Sequence, residues 1–239
     1  MNPNSYKELF AENGFPLNET DPDFADIFFD FAFEEAAAFG NDDQKSRFLS
    51  LLAVLLGTQG LDCFKVMLPA AIEGGLTADE IREVIYQSVA YIGFAKALPF
   101  FAAANEYFSE NNIPLPKKSE KNTNALESGI AAQVDIFGEG MRDFYKSGPP
   151  ETVHINRWLA ENCFGGYYTR KTLDYKEREL ITFCFLAAQG GCEPQLASHT
   201  AANIRIGNDK TFLIKIISQC VPFIGYPRTL NALNIIKNA

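Results

Sequence analysis

The chain has 239 residues, 47% hydrophobic and 21% charged, which supplies a buried core and excludes an intrinsically disordered protein. Its formal charge of −9 and the lack of any Lys/Arg cluster argue against a phosphate-backbone partner, so no nucleic acid is expected. The longest apolar run, 48–57, carries Ser50 and stops at Thr58-Gln59, short of the about 18 residues a membrane helix needs, so no membrane partner is expected.

Apolar residues recur near i, i+3 and i+4 through almost every segment, and β-branched alternation is scarce, which predicts an all-α fold. A Phe- and Ala-rich amphipathic helix is expected over 21–39, ended by Gly40-Asn41, and a second over 44–56, stopped at Gly57-Thr58-Gln59-Gly60. A third covers 62–73 and closes on Gly74-Gly75. Thr77-Ala78-Asp79-Glu80 has capping-box spacing and opens a helix to about Ala90; another over 94–108 follows. The polar stretch 109–124, with Pro114, Pro116, Lys117 and Lys118, is the linker candidate. It divides the chain into a module over 1–115, a linker over 116–124 and a module over 125–239. Helical patterning resumes at Ala125, breaks at Pro149-Pro150, returns over 156–163 before Gly165-Gly166, and continues over 175–188.

The strongest organisational feature is an internal repeat. Residues 81–98 align with 213–230 at an offset of 132, and Lys45-Ser46-Arg47-Phe48-Leu49 aligns with Lys176-Glu177-Arg178-Glu179-Leu180 at 131. One residue is therefore inserted in the second copy, near Gln189-Gly190-Gly191. The chain reads as two copies of one helical module.

Candidate chemistry gathers in the second copy. Glu179 sits near the start of the 175–188 helix among Leu180, Ile181 and Phe183, a face that would desolvate a carboxylate; the plain alternative is a first-turn acid serving the helix dipole. Past the glycines, Pro194 suits a first helical turn, which puts Gln195 and His199 one turn apart on a shared face. Cys192 lies near that helix N-terminus, where a thiolate is favoured, seven residues before His199. Glu179, Cys192, Gln195 and His199 are thus candidates for one pocket, against plain readings of a core histidine and an inert buried thiol. Trp158, Phe164, Tyr167 and Tyr168 pack the second core or line that pocket, while His154 reads as structural or solvated. Cys63, Cys163, Cys184 and Cys220 read as packing residues. Five scattered cysteines without a C-x-x-C pair suggest free thiols in a reducing compartment, and two distant histidines give no metal-ligand pair. The start, from Met1 to Glu8, lacks a signal peptide's basic and apolar regions, so a cytoplasmic location is expected.

The stretches 164–174, Arg178-Glu179-Leu180-Ile181-Thr182, 190–199 and 224–232 closely resemble the carboxymuconolactone decarboxylase family over about 125–239, and the first half resembles the same module more weakly. The resemblance implies an all-helical, alkylhydroperoxidase D-like module that oligomerises. A fused pair then implies a homo-oligomer, a trimer or a dimer, resembling the ring of single modules. It also implies one of two activities on a small molecule. One is cofactor-free decarboxylation of a small carboxylated lactone, with Glu179 and His199 as acid–base groups. The other is thiol hydroperoxide reduction, whose motif matches Cys192 and His199 but has Gln195 in place of its second cysteine, so that only a one-cysteine mechanism fits. Gln195, Arg178, Trp158 and Tyr168 are expected to bind substrate; Arg170, Arg205 and Arg228 are the other nearby cations. A non-catalytic oligomeric binding protein is the third reading. The first module has Phe48 at the Glu179 position and Met67 or Leu68 at that of His199, and is expected to be a structural or interface copy.

Overall fold

A computed structural model describes residues 17–39, 43–116 and 122–239. Among them every regular element is helical and no strand occurs. The expected stop at Gly40-Asn41 and linker residues 117–121 lie outside the described residues. In the first half, α1 (Pro22–Phe29) runs through a π-helical stretch, Asp30–Glu35, into α2 (Ala36–Phe39). Then come α3 (Gln44–Thr58), α4 (Leu61–Glu73), α5 (Ala78–Ile92) and α6 (Phe94–Glu110). The second half holds α7 (Ala125–Phe137), α8 (Val153–Trp158) and a π-helical stretch, Leu159–Tyr168. It ends with α9 (Tyr175–Gln189), α10 (Glu193–Arg205) and α11 (Lys210–Asn238).

Helix starts follow from side chains that satisfy orphan backbone N–H groups, each worth about 1 kcal/mol. Asp43 accepts from the amides of Lys45 and Ser46 at the head of α3, and its repeat counterpart Asp174 forms a capping box with Glu177 at the head of α9. Thr77 and Glu80 form the expected box on α5; the counterpart of Thr77, Asp209, caps α11. The repeat persists at the breaks. Gly93 separates α5 from α6 at φ 83°, and Gly225 kinks the long α11 at φ 75°, a left-handed backbone that favours glycine. The inserted residue is also placed: Gln59 and Gly190 end α3 and α9 at an offset of 131, while Gly60 and Cys192 open α4 and α10 at 132. Gly191 is the extra residue.

One expectation fails. The helix read over 156–163 begins earlier, at Val153, and passes straight through Gly165-Gly166 as a π-helix. A Cβ on Gly165 would lie 2.0 Å from the carbonyl oxygen of Ala125, and one on Gly129 would lie 1.8 Å from that of Ala160. These glycines let α7 and the π-helix touch backbone to backbone; they pack the helix and do not end it.

Both halves share one core, in which Phe48, Leu52, Phe64 and Phe100 join Leu180, Phe183, Phe185 and Ile217. At its centre α3 crosses α9. A Cβ on Gly57 would sit 2.7 Å from the Cβ of Ala188, its own counterpart at an offset of 131. Contact between counterparts marks an approximate two-fold axis passing between α3 and α9.

Candidate active site

The cap at Asp174 fixes the register of α9, and Glu179 then points inward, fully buried. Opened by Glu193-Pro194, α10 brings His199 to meet it, with Nδ1 2.7 Å from Glu179 Oε2. One turn further on, Asn203 donates from Nδ2 to the backbone carbonyls of Glu179 (2.9 Å) and His199 (2.8 Å), tying α10 to α9 at the level of the pair. The His199 side chain is 12% exposed and that of Glu179 0%, so the imidazole alone of the two can meet a molecule from outside. The rings edge-on to it are Tyr91 at 5.7 Å and Phe137 at 5.3 Å.

The second carboxylate oxygen of Glu179 accepts from the Tyr168 hydroxyl at 2.9 Å. That donation uses the only O–H proton of Tyr168, so its oxygen accepts from Tyr91 (2.7 Å) and from Thr182 (2.8 Å). Thr182 accepts in turn from Gln87 Nε2 at 2.8 Å, and Gln87 Oε1 accepts from Arg178 Nη1 at 2.8 Å. Burial, joined by the nearby Cys163 thiol and Glu179 charge, pushes the Tyr91 hydroxyl well above its ordinary pKa; burial and Glu179 do the same to Tyr168. Burial raises Cys163, which hydrogen-bonds Tyr91, to about 12. All three stay protonated at neutral pH, so the network is a set of fixed donors directed at one carboxylate.

Part of this network comes from the other module. Glu83, Gln87 and Tyr91 stand on one stripe of α5, four residues apart. Glu83, 2% exposed, accepts from Arg170 Nε (2.6 Å) and Arg178 Nη2 (3.0 Å). The first module, expected to be a structural or interface copy, lays α5 across the start of α9 and contributes to the surroundings of Glu179.

A family model described as the carboxymuconolactone decarboxylase family matches residues 22–106 and 154–238, one match in each half of the chain. The chain belongs to that family. The structure is similar to that of a candidate gamma-carboxymuconolactone decarboxylase subunit from Burkholderia xenovorans LB400, at a TM-score of 0.54 and 17% identity, covering 97% of this chain and 95% of that one. That likeness concerns the fold. No curated protein matches the chain.

Within this carboxymuconolactone decarboxylase-family fold the remaining sequence candidates separate. Tyr168 joins the pair as a buried hydrogen-bond donor. Arg178, expected to bind substrate, is fully buried and held by Glu83 and Gln87, and burial lowers its pKa against the opposing pull of Glu83. Cys192 does not pair with His199. Its thiol contacts the Leu186 carbonyl (3.4 Å) and Gln189 Nε2 (4.0 Å), and burial raises its pKa, against Gln189 and with Glu193, where pairing with the imidazole would lower it. Gln195 is exposed on α10 although it shares that helix with His199. Trp158 is 57% exposed and edge-on to His154 at 4.8 Å, on an open groove with Glu161, Asn162 and Lys171. Among the described residues no group of three His, Cys, Asp or Glu could hold a metal ion. The residues that sequence reasoning missed are Gln87, Tyr91, Thr182 and Phe137. The signal for two of them was the spacing of Glu83, Gln87 and Tyr91, four residues apart and so on one helix stripe.

Proposed function

We propose that the protein is a cofactor-free enzyme that uses Glu179 and His199 for acid–base chemistry, decarboxylation or a related proton transfer, on a small carboxylated, lactone-like molecule. The observation that carries this reading is the 2.7 Å contact between His199 Nδ1 and a buried Glu179 whose other oxygen is held by Tyr168. With Glu179 as a carboxylate, Nδ1–H donates to Oε2, the tautomer is fixed, and Nε2 is the working nitrogen. In a decarboxylation the bond to the departing CO₂ breaks and its electron pair passes into the conjugated lactone as a dienolate. The imidazolium Nε2–H then gives its proton to carbon, and solvent restores it. Glu179 positions the ring and balances its positive charge.

The thiol-peroxidase reading needs a thiolate beside an imidazole, and Cys192 has a raised pKa and other partners. Among the described residues no helix is long and apolar enough to cross a membrane, in keeping with the proposed cytoplasmic location. Exposed apolar positions recur at an offset of 132, Phe94 and Leu98 with Tyr226 and Leu230, which suits a homo-oligomer, a trimer or a dimer, that covers both sets. Screening carboxylated lactones and enoates for CO₂ release identifies the substrate. On it, His199→Ala lowers kcat by about 10²–10⁴-fold, and Cys192→Ser leaves it unchanged. A loss in His199→Ala below about tenfold removes His199 from the chemistry.

A further inference from the structure

The internal repeat sorts the buried polar groups around Glu179 into two kinds. Arg178 and Gln87 have Arg47 and Gln219 at their counterpart positions, so an arginine and a glutamine stand on both faces of the α3–α9 crossing, whatever else the face carries. Glu179, Thr182, Tyr168, His199 and Tyr91 occur on one face alone; their counterparts are Phe48, Leu51, Ala37, Met67 and Phe223. Two further residues belong to this second kind. Asn203 and Asn208 are buried, and at the offset of 132 they have Ala71 and Leu76, buried and apolar.

The backbone is the same at both places. The Asn208 amide donates to the Asn203 carbonyl at 2.8 Å, as the Leu76 amide donates to that of Ala71 at 2.9 Å, and Gly207 and Gly75 precede them at φ 101° and 99°. A helix of this module can therefore end in this way with alanine and leucine, and the two carboxamides answer no demand of the fold. What they add is a clasp. Asn208 Nδ2 donates to the Lys176 carbonyl in the first turn of α9 (3.0 Å) and to Asn203 Oδ1 (2.8 Å). With its oxygen so engaged, Asn203 turns Nδ2 toward the carbonyls of Glu179 and His199. Those carbonyls lie inside helices whose own ladders already supply each with a donor, so the two bonds satisfy no orphaned group. Of all the carbonyls on α9 and α10, one nitrogen takes those of the acid and the base, and so sets how far apart their backbones stand. The side chains have little latitude: hydrogen bonds from N–H are confined to about 2.7–3.2 Å, and a slide of α10 by about 1 Å breaks the contact of His199 Nδ1 with Glu179 Oε2.

We propose that Asn203 and Asn208 are positioning residues, a clasp of two carboxamides that holds α10 on α9 at the register in which His199 meets Glu179. The inference rests on the reading of that pair as the acid–base groups, yet its test needs no substrate. The chain has two histidines, so NMR of the full chain with ring-15N-labelled histidine follows both, with His154 on the exposed face of α8 as internal control. In the natural chain the Nδ1 proton of His199, shared with a buried carboxylate, exchanges slowly with water. Asn203→Ala/Asn208→Leu installs the first module's own pair; it stays folded by circular dichroism and speeds that exchange about tenfold, the worth of the lost hydrogen bonds. Phe64→Leu, which loosens the first module where Phe64 meets Phe100, leaves the exchange unchanged, as a general loss of stability would not. Should the double variant misfold, Asn208→Ala, which frees the carboxamide of Asn203, gives the same answer with an effect of about fivefold. The proposal is overturned by a fast-exchanging Nδ1 proton in the natural chain, by unchanged exchange in the folded clasp variants, or by equal acceleration in Phe64→Leu. Failure of the acid–base reading shows separately, as activity retained in His199→Ala while the clasp variants still release the ring proton.

Discussion

The two faces of the α3–α9 crossing began as the same surface and now differ by a handful of side chains. On one face Glu179, His199, Thr182, Tyr168 and Tyr91 form a hydrogen-bond network; on the other the counterpart positions, Phe48, Met67, Leu51, Ala37 and Phe223, are all apolar. The backbone around them is held in common, down to matching caps, π-helical stretches and positive-φ glycines. The difference lies in the side chains and not in the backbone: five positions decide whether a face carries a buried carboxylate–imidazole pair or apolar residues. The helix that completes each face comes from the opposite half, so neither half is sufficient alone.

That dependence can be broken most forcefully at Glu83. Glu83→Ala leaves Arg178 charged and buried with its carboxylate partner gone, and we expect a loss of about 3–5 kcal/mol in denaturant unfolding. The counterpart Lys215 is exposed, and Lys215→Ala changes stability by about 0.5 kcal/mol or less. Equal effects at the two positions would show that the asymmetry between the faces is not energetic. Next in size is Gly57→Leu, which drives a side chain into Ala188 and the carbonyl of Phe185; overpacking of this kind costs about 1–3 kcal/mol and lowers the melting temperature.

A smaller and sharper change is Tyr91→Phe. It removes one donor to Tyr168 and leaves Glu179 and His199 in contact, so we expect about 1 kcal/mol of stability lost and a measurable fall in kcat. The reverse exchange on the other face, Phe223→Tyr, gains no activity. A Tyr91→Phe enzyme with natural kcat would confine the first module to a packing role.

The smallest effect is expected at Lys45, which bridges Glu80 at 2.6 Å and Glu177 at 2.5 Å and so links the capping boxes of α5 and α9. These are partly exposed pairs, and Lys45→Met costs about 0.2–1 kcal/mol. Burial acts to raise the pKa of Glu80, but hydrogen bonds from Lys45 and Thr77 outweigh it and hold the carboxyl below its ordinary value. A depressed carboxylate stabilises the fold above its unfolded pKa, near about 4.3, and that contribution disappears as the pH falls through the lower folded value. The gap between Lys45→Met and the natural chain should therefore be present at neutral pH and close on the acid side.

Much of this was legible in the sequence. Capping residues and apolar periodicity located the helices, because both signals are local. The offset of 132 exposed the repeat, and the shift from 131 placed the insertion beside α10. Glu179 and His199 were legible as candidates for one pocket, a carboxylate on an apolar helix and an imidazole on the next, and the structure brings them into contact. What stayed hidden depended on how the halves pack. Cys192 is seven residues from His199, yet it lies at the N-cap of α10, where its thiol turns back to Leu186. Arg178 reads from sequence as a substrate-binding cation, and its buried partner Glu83, 95 positions away, shows in no local pattern. Gly165-Gly166 reads as a stop because sequence does not show the helix that presses against Gly165.

Gly57 and Ala188 meet on the symmetry axis, and this has a consequence for descent. In an assembly of two identical single modules, the residue on the axis meets its own copy, so any substitution is made twice at one point and must be self-compatible. Fusion into one chain lifts that requirement. Each position can then change alone, one to glycine and the other to alanine, and the same release extends outward to every residue of the two faces. A covalent join between modules is what allows one face to hold a carboxylate and an imidazole while its twin turns apolar.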